Sequence, residues 1–345
     1  MKKVTINEIA ASLKLSRNTV SKVLNNTGTV SDDTAVKVIR KAIELGYTKL
    51  DPELLKKIKN LKEEKTKNIA VLAHKYYTEF WSRIINGISF ELNKNQYTLS
   101  YTYISREDEE ELNIPINILN HNVDGIIVVS VFKRDYMQKL IDTGLPIVYL
   151  DAPVEDDTST LKGDIVLVEG QDSTYKITKH LIDNGCKKIG FIGDITYCKT
   201  IYERWLGFKN ALIDNNLPVL DEICFTHSSE NRFYSEHEVF NALATIKKMP
   251  DAIVCANDGI ALNVIRYLKD HDIRVPEDIA VTGFDDTKEA VLIEPNITTV
   301  HVYNEEIGRR SAEELLKRIE NPKRVYSTIR ISTDIKIRES SLKKK

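Results

Sequence analysis

The chain reads as an α/β protein with a small all-helical head and a body of two doubly wound parallel sheets. Three observations carry this reading. Residues 5–25 show helical periodicity in two short pieces separated by a turn. From Asn68 onward, short apolar runs alternate with longer helical patterns. These runs form two sets, either side of about residue 165. Strands that alternate with helices imply parallel sheets covered on both faces, and two sets imply two lobes.

In the head, Ile6, Ile9, Ala10 and Leu13 recur at i, i+3, i+4 and i+7, one apolar helical stripe. Thr5 and Glu8 make a capping box, each side chain satisfying an end amide of the helix. Lys14 and Leu15 carry the turn, and Ser16 is an N-cap for the second helix. Val20, Val23 and Leu24 form that helix's inner face, while Arg17, Asn18, Ser21 and Lys22 share the outer one. Small Ala10 lets the helices cross closely. This is the layout of a helix-turn-helix, whose second helix enters the major groove of double-stranded DNA N-terminus first. Arg can fork onto guanine, Asn can pair with adenine, and Lys can reach guanine or phosphate. Hydroxyls near the helix start can hold phosphate oxygens and set register. The same spacing also describes an ordinary helical hairpin with a solvated polar face. Ser31 and Asp32 open a third helix, with Ala35, Val36, Ile39, Ala42 and Ile43 along one side and Gly46 as its stop.

Residues 51–67 form a basic linker with its own helix start, Asp51 as N-cap and Pro52 at the first helical position. Its apolar residues, Leu54, Leu55, Ile58 and Leu61, suit either of two roles. They can wedge between base steps in the minor groove, or they can form a spacer or dimer-contact helix. In the body, the runs NIAVLA, YTLSYTYI, DGIIVVS and PIVYLD form the first strand set. KKIGFIGD, EICFTH, DAIVCA and DIAVTGFDD form the second. Helical stretches lie between them at 80–95, 173–184, 201–215, 236–248 and 259–271. Ligands of such sheets bind at the carboxyl ends of the strands.

Charge is nearly balanced overall, with 49 basic and 51 acidic residues, but it is unevenly placed. Residues 1–67 hold 15 Lys/Arg against 8 Asp/Glu, a net of +7, which leaves −9 on the rest. A basic head on an acidic body fits a nucleic-acid module joined to something else. Cys186, Cys198, Cys224 and Cys255 are widely spaced, with no C-x-x-C or His pair. The expectation is buried, reduced thiols, with neither a disulfide framework nor a metal site. No run of transmembrane length and no signal-peptide pattern is present, so a cytoplasmic protein is expected. The absence of G-x-G-x-x-G and P-loop motifs argues against dinucleotide and NTP cofactors. No nucleophile–base pair stands out, so no enzymatic activity is expected.

The head's wording is more specific than its periodicity. Val4, Thr5, Glu8, Ile9, Ala10, Leu15, Ser16, Thr19, Val20, Ser21, Lys22, Val23, Leu24 and Asn25 follow, in order, the pattern V-T-x-x-D-I-A-x-x-x-G-V-S-x-x-T-V-S-R-V-L-N. On these residues the stretch resembles the headpiece of the lactose-repressor (LacI/GalR) family, with Glu8 for Asp and Lys22 for Arg as mild departures. The resemblance continues through the body. It includes Phe80-Trp81 with Ile84, Gly87 and Ile88; Asp124 to Ile127; Pro146 to Asp151; Arg204 with Gly207 and Phe208; Asn257-Asp258; Gly283 to Asp286; Gly308; and Arg338 to Ser340.

The resemblance implies a helix-turn-helix headpiece at 1–50, a hinge at 51–67 and a two-lobed, periplasmic-binding-protein-like core at 68–340, followed by a basic tail at 341–345. The N-lobe would comprise about 68–165 and 302–328, and the C-lobe about 166–300 and 330–340, joined by three crossovers. By family pattern Arg17, Asn18 and Lys22 would read bases, and Thr5, Ser16, Thr19, Ser21 and Asn25 would position the head on phosphates. Leu61 and Ile58 would occupy the hinge positions that address the minor groove. A small effector, commonly a sugar or nucleobase, would lie between the lobes against Phe80, Trp81, Asp151, Arg204, Asn257 and Asp285. No cofactor is implied, and the working form would be a homodimeric regulator on operator DNA.

Each cleft residue also has a structural role open to it. Asn257 or Asp258 and Asp285 or Asp286 can cap helices, Arg204 can pair with Glu203 or another acid, and Phe80 and Trp81 can be core. The family's N-P before the aromatic pair is Thr78-Glu79 here, and Glu169 to Thr174 replace its D-N-x-x-G-A. Lys75, with Tyr76 and Tyr77, stands at the expected cleft mouth. Lys75 together with Arg204 adds a phosphorylated or carboxylate ligand to the sugar-like options. The body alone also fits a non-enzymatic solute-binding protein of the transport type, a reading that the headpiece opposes.

Overall fold

The computed structural model describes residues 4–28, 30–45, 47, 66–74, 79–154, 161–228, 233 and 235–342. Several expectations therefore lie outside the described residues. They concern the stop at Gly46, the side chain of Ile43, the linker residues Asp51, Pro52, Leu54, Leu55, Ile58 and Leu61, and Lys75, Tyr76, Tyr77 and Thr78 at the cleft mouth. The chain divides into two compact units between Lys65 and Thr66.

The first unit holds α1 (Ile6–Leu13), α2 (Arg17–Leu24) and α3 (Asp32–Glu44). Their apolar faces meet in one cluster around Ile9, Ala10, Val20, Val23, Leu24, Val38, Ile39 and Ala42. The third helix is corrected in one position. Val38 is fully buried while Val36 is half-buried. Val38 lies three residues after Ala35 and four before Ala42, so it completes their stripe.

The second unit begins with β1 (Asn68–Ala73), α4 (Glu79–Lys94), β2 (Thr98–Tyr103), α5 (Arg106–Glu110), α6 (Ile116–Leu119), β3 (Gly125–Val128), α7 (Arg134–Asp142), β4 (Ile147–Leu150) and β5 (Asp164–Val168). It continues with α8 (Gln171–Asp183), β6 (Ile189–Ile192), α9 (Lys199–Asp214), β7 (Cys224–Phe225), α10 (Glu236–Ala244), β8 (Ala252–Cys255), α11 (Asp258–Asp270), β9 (Ala280–Thr282) and β10 (Thr299–His301). It closes with α12 (Asn304–Glu320), β11 (Thr328–Ile331) and β12 (Asp334–Lys336).

One parallel sheet has the order β11-β5-β4-β3-β1-β2, and the second has the order β7-β6-β8-β9. β10 and β12 pair antiparallel, and a bridge from Thr282 to Thr298 ties them to the second sheet. The chain passes between the lobes after Val168, between His301 and Asn304, and between Ile331 and Asp334. The N-lobe boundaries expected at about 165 and 328 both cut through strands of its sheet. β5 and β11 pair in register from Thr328 with Ile165 to Ile331 with Val168, so the lobe extends to Val168 and Ile331.

The N-lobe helices approach closely where they lack side chains. A Cβ at Gly308 of α12 would stand 2.0 Å from the Ile84 carbonyl oxygen, and one at Gly87 of α4 would stand 2.1 Å from that of Glu305. Asn304 Nδ2 also donates to the Phe80 carbonyl at 3.0 Å. α12 is tied to β5 by Arg318, which forks onto Asp164 with two bonds of 3.0 Å, both residues being buried. Burial pushes the Asp164 carboxyl up, but the bonds from Arg318 and Ser327 outweigh it and hold the group below the usual range. Cys186, Cys198 and Cys255 are buried thiols outside any disulfide, whereas Cys224 is half-buried at the end of a sheet. Among the described residues no helix is long and apolar enough to cross a membrane.

Candidate functional site

Two places gather the residues singled out by the sequence. On the head, Thr5 closes the start of α1. Its N–H donates to Glu8 Oε2 at 2.8 Å, and the Glu8 N–H donates to Thr5 Oγ1 at 3.4 Å. α1 ends at Lys14 in the left-handed region (φ 54°), which redirects the chain into α2. Ser16 caps α2 by accepting the Thr19 N–H at 3.0 Å, and its hydroxyl meets that of Thr19 at 2.8 Å. Packing of Val20, Val23 and Leu24 turns the opposite face outward, leaving Arg17, Asn18 and Lys22 exposed. Asn25 donates to Ser21 Oγ at 3.2 Å. The Lys22 stem runs past Gly28, where a Cβ would touch its Cδ at 3.4 Å. The result is a short capped helix with a fork donor, an amide and an ammonium on one open face.

The second place is a cavity of about 670 Å³ at the carboxyl ends of both sheets. From the N-lobe come His74 after β1, Ser130 after β3, Asp151 after β4, and Phe80 and Trp81 from the first turn of α4. From the C-lobe come Thr200 and Arg204 of α9, Asn257 after β8, and Asp285 after β9. All six cleft residues expected from the sequence line this cavity. Phe80 and Trp81 are half-buried, with rings edge to face at 4.9 Å.

The polar residues differ in what they have left to offer. Arg204 is buried, with its guanidinium 3.6 Å above the Phe284 ring and Nη1 donating to the Ala256 carbonyl at 2.5 Å. Its Nη2 faces Asp285 Oδ1 at 3.8 Å, an ion pair too long for a hydrogen bond. Glu203, expected as a possible partner of Arg204, instead clasps Arg330 with two bonds of 2.6 Å. Asp285 has φ 114°, a strained backbone for a residue with a side chain. Burial pushes its carboxyl up to about 7 against the opposing pull of Arg204.

Asn257 caps α11, its Oδ1 accepting the Ile260 N–H at 2.9 Å, which ties its oxygen to the helix start. Asp151 is likewise committed. It accepts from the Ala152 N–H at 2.7 Å, from the Thr200 N–H at 3.2 Å and from the Thr200 hydroxyl. It therefore bridges the lobes rather than presenting a bare carboxylate. Asp286 accepts from Arg338 at 2.6 Å and His301 at 2.8 Å.

Sequence reasoning did not separate Asp258 from its neighbour Asn257. Asp258 lines the same cavity, fully buried, and accepts from Thr299 Oγ1 at 2.6 Å and the Thr287 N–H at 2.8 Å. Burial first, and then the charge of Asp285, push it up to about 8. Gly283 makes room for it, since a Cβ there would lie 2.1 Å from Asp258 Oδ1. The signal was present in the pairing of Asn257-Asp258 with the Gly283 run. Glu289, also on the cavity wall, carried no sequence signal, and Glu79 stood out only as a departure from the family's N-P.

Residues 5–49 match the family described as bacterial regulatory proteins, lacI family, and residues 178–341 match the periplasmic binding protein-like domain. The chain is 30% identical to the HTH-type transcriptional repressor PurR of Mannheimia succiniciproducens, over 97% of this chain and 98% of that protein. It is 31% identical to the NTD biosynthesis operon regulator NtdR of Bacillus subtilis, over 98% and 99% respectively. Among solved structures it is similar to the transcriptional regulator CelR in complex with cellobiose, with a TM-score of 0.72 at 24% identity over 98% of this chain and all of that one. It is also similar to the lac repressor dimer bound to operator and an anti-inducer, with a TM-score of 0.68 at 21% identity over 99% and 100%.

Proposed function

Because the chain belongs to the LacI family of bacterial regulatory proteins, we propose that it acts as a homodimeric repressor whose grip on operator DNA is set by a small polar effector held between the two lobes. The observation that carries this is the open face of α2, where Arg17, Asn18 and Lys22 stand exposed on a helix capped by Ser16. In this reading Arg17, Asn18 and Lys22 read base edges, while Thr5, Ser16, Thr19, Ser21 and Asn25 hold the head against phosphates. Two heads address two half-sites about one helical turn apart or a multiple of it, which makes the operator an inverted repeat.

The effector site is proposed on Arg204, the Asn257 amide and Asp285, with Phe80 and Trp81 against the apolar face of a ring. This donor and acceptor set suits hydroxyl groups. Asp151 serves closure by holding the start of α9. An effector changes DNA affinity only if it favours one lobe arrangement over the other.

The test is duplex binding by the full chain as salt is varied. The expected result is tight binding in low salt and a linear fall of log affinity with log salt, the sign of released phosphate counterions. A flat salt dependence, or no duplex binding, contradicts the reading.

A further inference from the structure

Among the described residues that line the cavity, acidic side chains outnumber fixed cations. Among the described lining residues, Glu79, Asp151, Asp258, Asp285 and Glu289 are acids, and Arg204 is the fixed cation. Arg204 is already engaged by the Phe284 ring and the Ala256 carbonyl. Lys288 reaches the rim but is held by Glu79 at 2.7 Å. Two of the acids are spoken for, Asp151 by Thr200 and Asp258 by Thr299 and Thr287. Asp285 is different, since its ion pair with Arg204 spans 3.8 Å and its side chain is still 16% exposed. Glu289 is exposed at the same wall. Burial raises the carboxyls of both Asp258 and Asp285, and the charge of Asp285 adds to the rise at Asp258.

We propose that the effector is a polyhydroxylated compound bearing at least one ammonium group, recognised by Asp285 and Glu289 beneath the aromatic wall of Phe80 and Trp81. The proposal rests on reading the cleft as an effector site and adds the charge of its ligand. An ammonium satisfies Asp285 where Arg204 does not reach hydrogen-bonding distance. It is also attracted to the faces of Trp81 and Phe80. A phosphate or carboxylate in the same place meets Asp285 and Glu289 as like charges. Among the described residues, Asp285 and Glu289 thus oppose the anionic ligand that Lys75 and Arg204 suggested in the sequence.

The test is calorimetric titration of the full chain with two matched sets of probes. One set is cellobiose, the β-1,4-linked glucosamine disaccharide and cellobionate. The other is glucose, glucosamine and glucose 6-phosphate. The expected result is that the amino compound of at least one set binds about tenfold or more tighter than its neutral counterpart, and the anion weakest. Asp285→Asn and, separately, the exposed Glu289→Gln should each shrink that ratio while the variants keep the native circular dichroism. Binding of neutral or anionic probes as tight as the amino probes overturns the charge assignment but leaves a polyol cleft standing. A ratio unchanged in both variants overturns the assignment to Asp285 and Glu289. Failure of all six probes to bind overturns the polyol reading of the cleft, and this proposal with it.

Discussion

Neighbouring carboxylates Asp285 and Asp286 meet opposite surroundings. Asp286 accepts from Arg338 and His301, and these bonds overcome burial to hold it below the usual range. Asp285 is pushed up to about 7, and Asp258 beside it to about 8. The folded chain therefore keeps protons that the unfolded chain releases near 3.8. Stability from a raised carboxyl is full below the unfolded value and is lost as pH rises to the folded one. Asp285→Asn removes that loss. Its melting temperature should exceed that of the native chain by an amount that grows from about pH 4 to pH 7 and then levels, at roughly 2–4 °C per kcal/mol relieved. A difference that does not change with pH contradicts the assignment. At the other unit, Arg17→Ala and Asn18→Ala should each reduce discrimination against a single mismatched base by about 1–3 kcal/mol. Binding to random duplex should fall much less. Equal losses on both duplexes mean these residues do not read bases. The chemistry of Arg17 and Asn18 was legible because helix period and cap fix which residues face outward. The condition of Asp285 was not, since it depends on how far Arg204 stands across the cavity.

At the level of elements, family glycines proved the most informative letters. Gly87 and Gly308 are the points where α4 and α12 touch backbone to backbone, and that contact sets the first turn of α4, with Phe80 and Trp81, on the cavity wall. Gly308→Ala forces the helices apart, and overpacking of this kind typically destabilises by about 1–3 kcal/mol. The expected readout is a lower melting temperature together with weaker ligand binding, whereas a neutral substitution contradicts the close-approach argument. Asp164→Ala should cost more, about 3–5 kcal/mol, because it leaves the buried Arg318 charge without a partner. The long parallel strands announced themselves as apolar runs. β11 and β12 did not, because their exposed and half-buried residues leave no apolar run in TIRI and DIK. The lobe boundary expected near residue 165 falls inside β5, whose place in the N-lobe sheet is set by pairing with β4 and with β11, a partner far away in sequence.

Over the whole molecule, three of the links across the cleft come from one segment, while Lys288 and Glu79 form another at the rim. Thr200 reaches Asp151, the Lys199 N–H donates to the Ala152 carbonyl at 2.8 Å, and Glu203 clasps Arg330, all from the first turns of α9. The same helix carries Arg204 to the cavity, so occupancy of the cavity and the set of the lobes share one rigid element. Such sharing is what a ligand needs to bias one arrangement over another. The repressor reading depends first on the head choosing sequence, and the most direct measurement is selection from a random duplex library by the full chain. The account predicts enrichment of an inverted repeat with two equivalent half-sites, lost when Arg17 and Asn18 are both changed to alanine. Recovery of unselected sequence, or the same enriched repeat from the double variant, would contradict it.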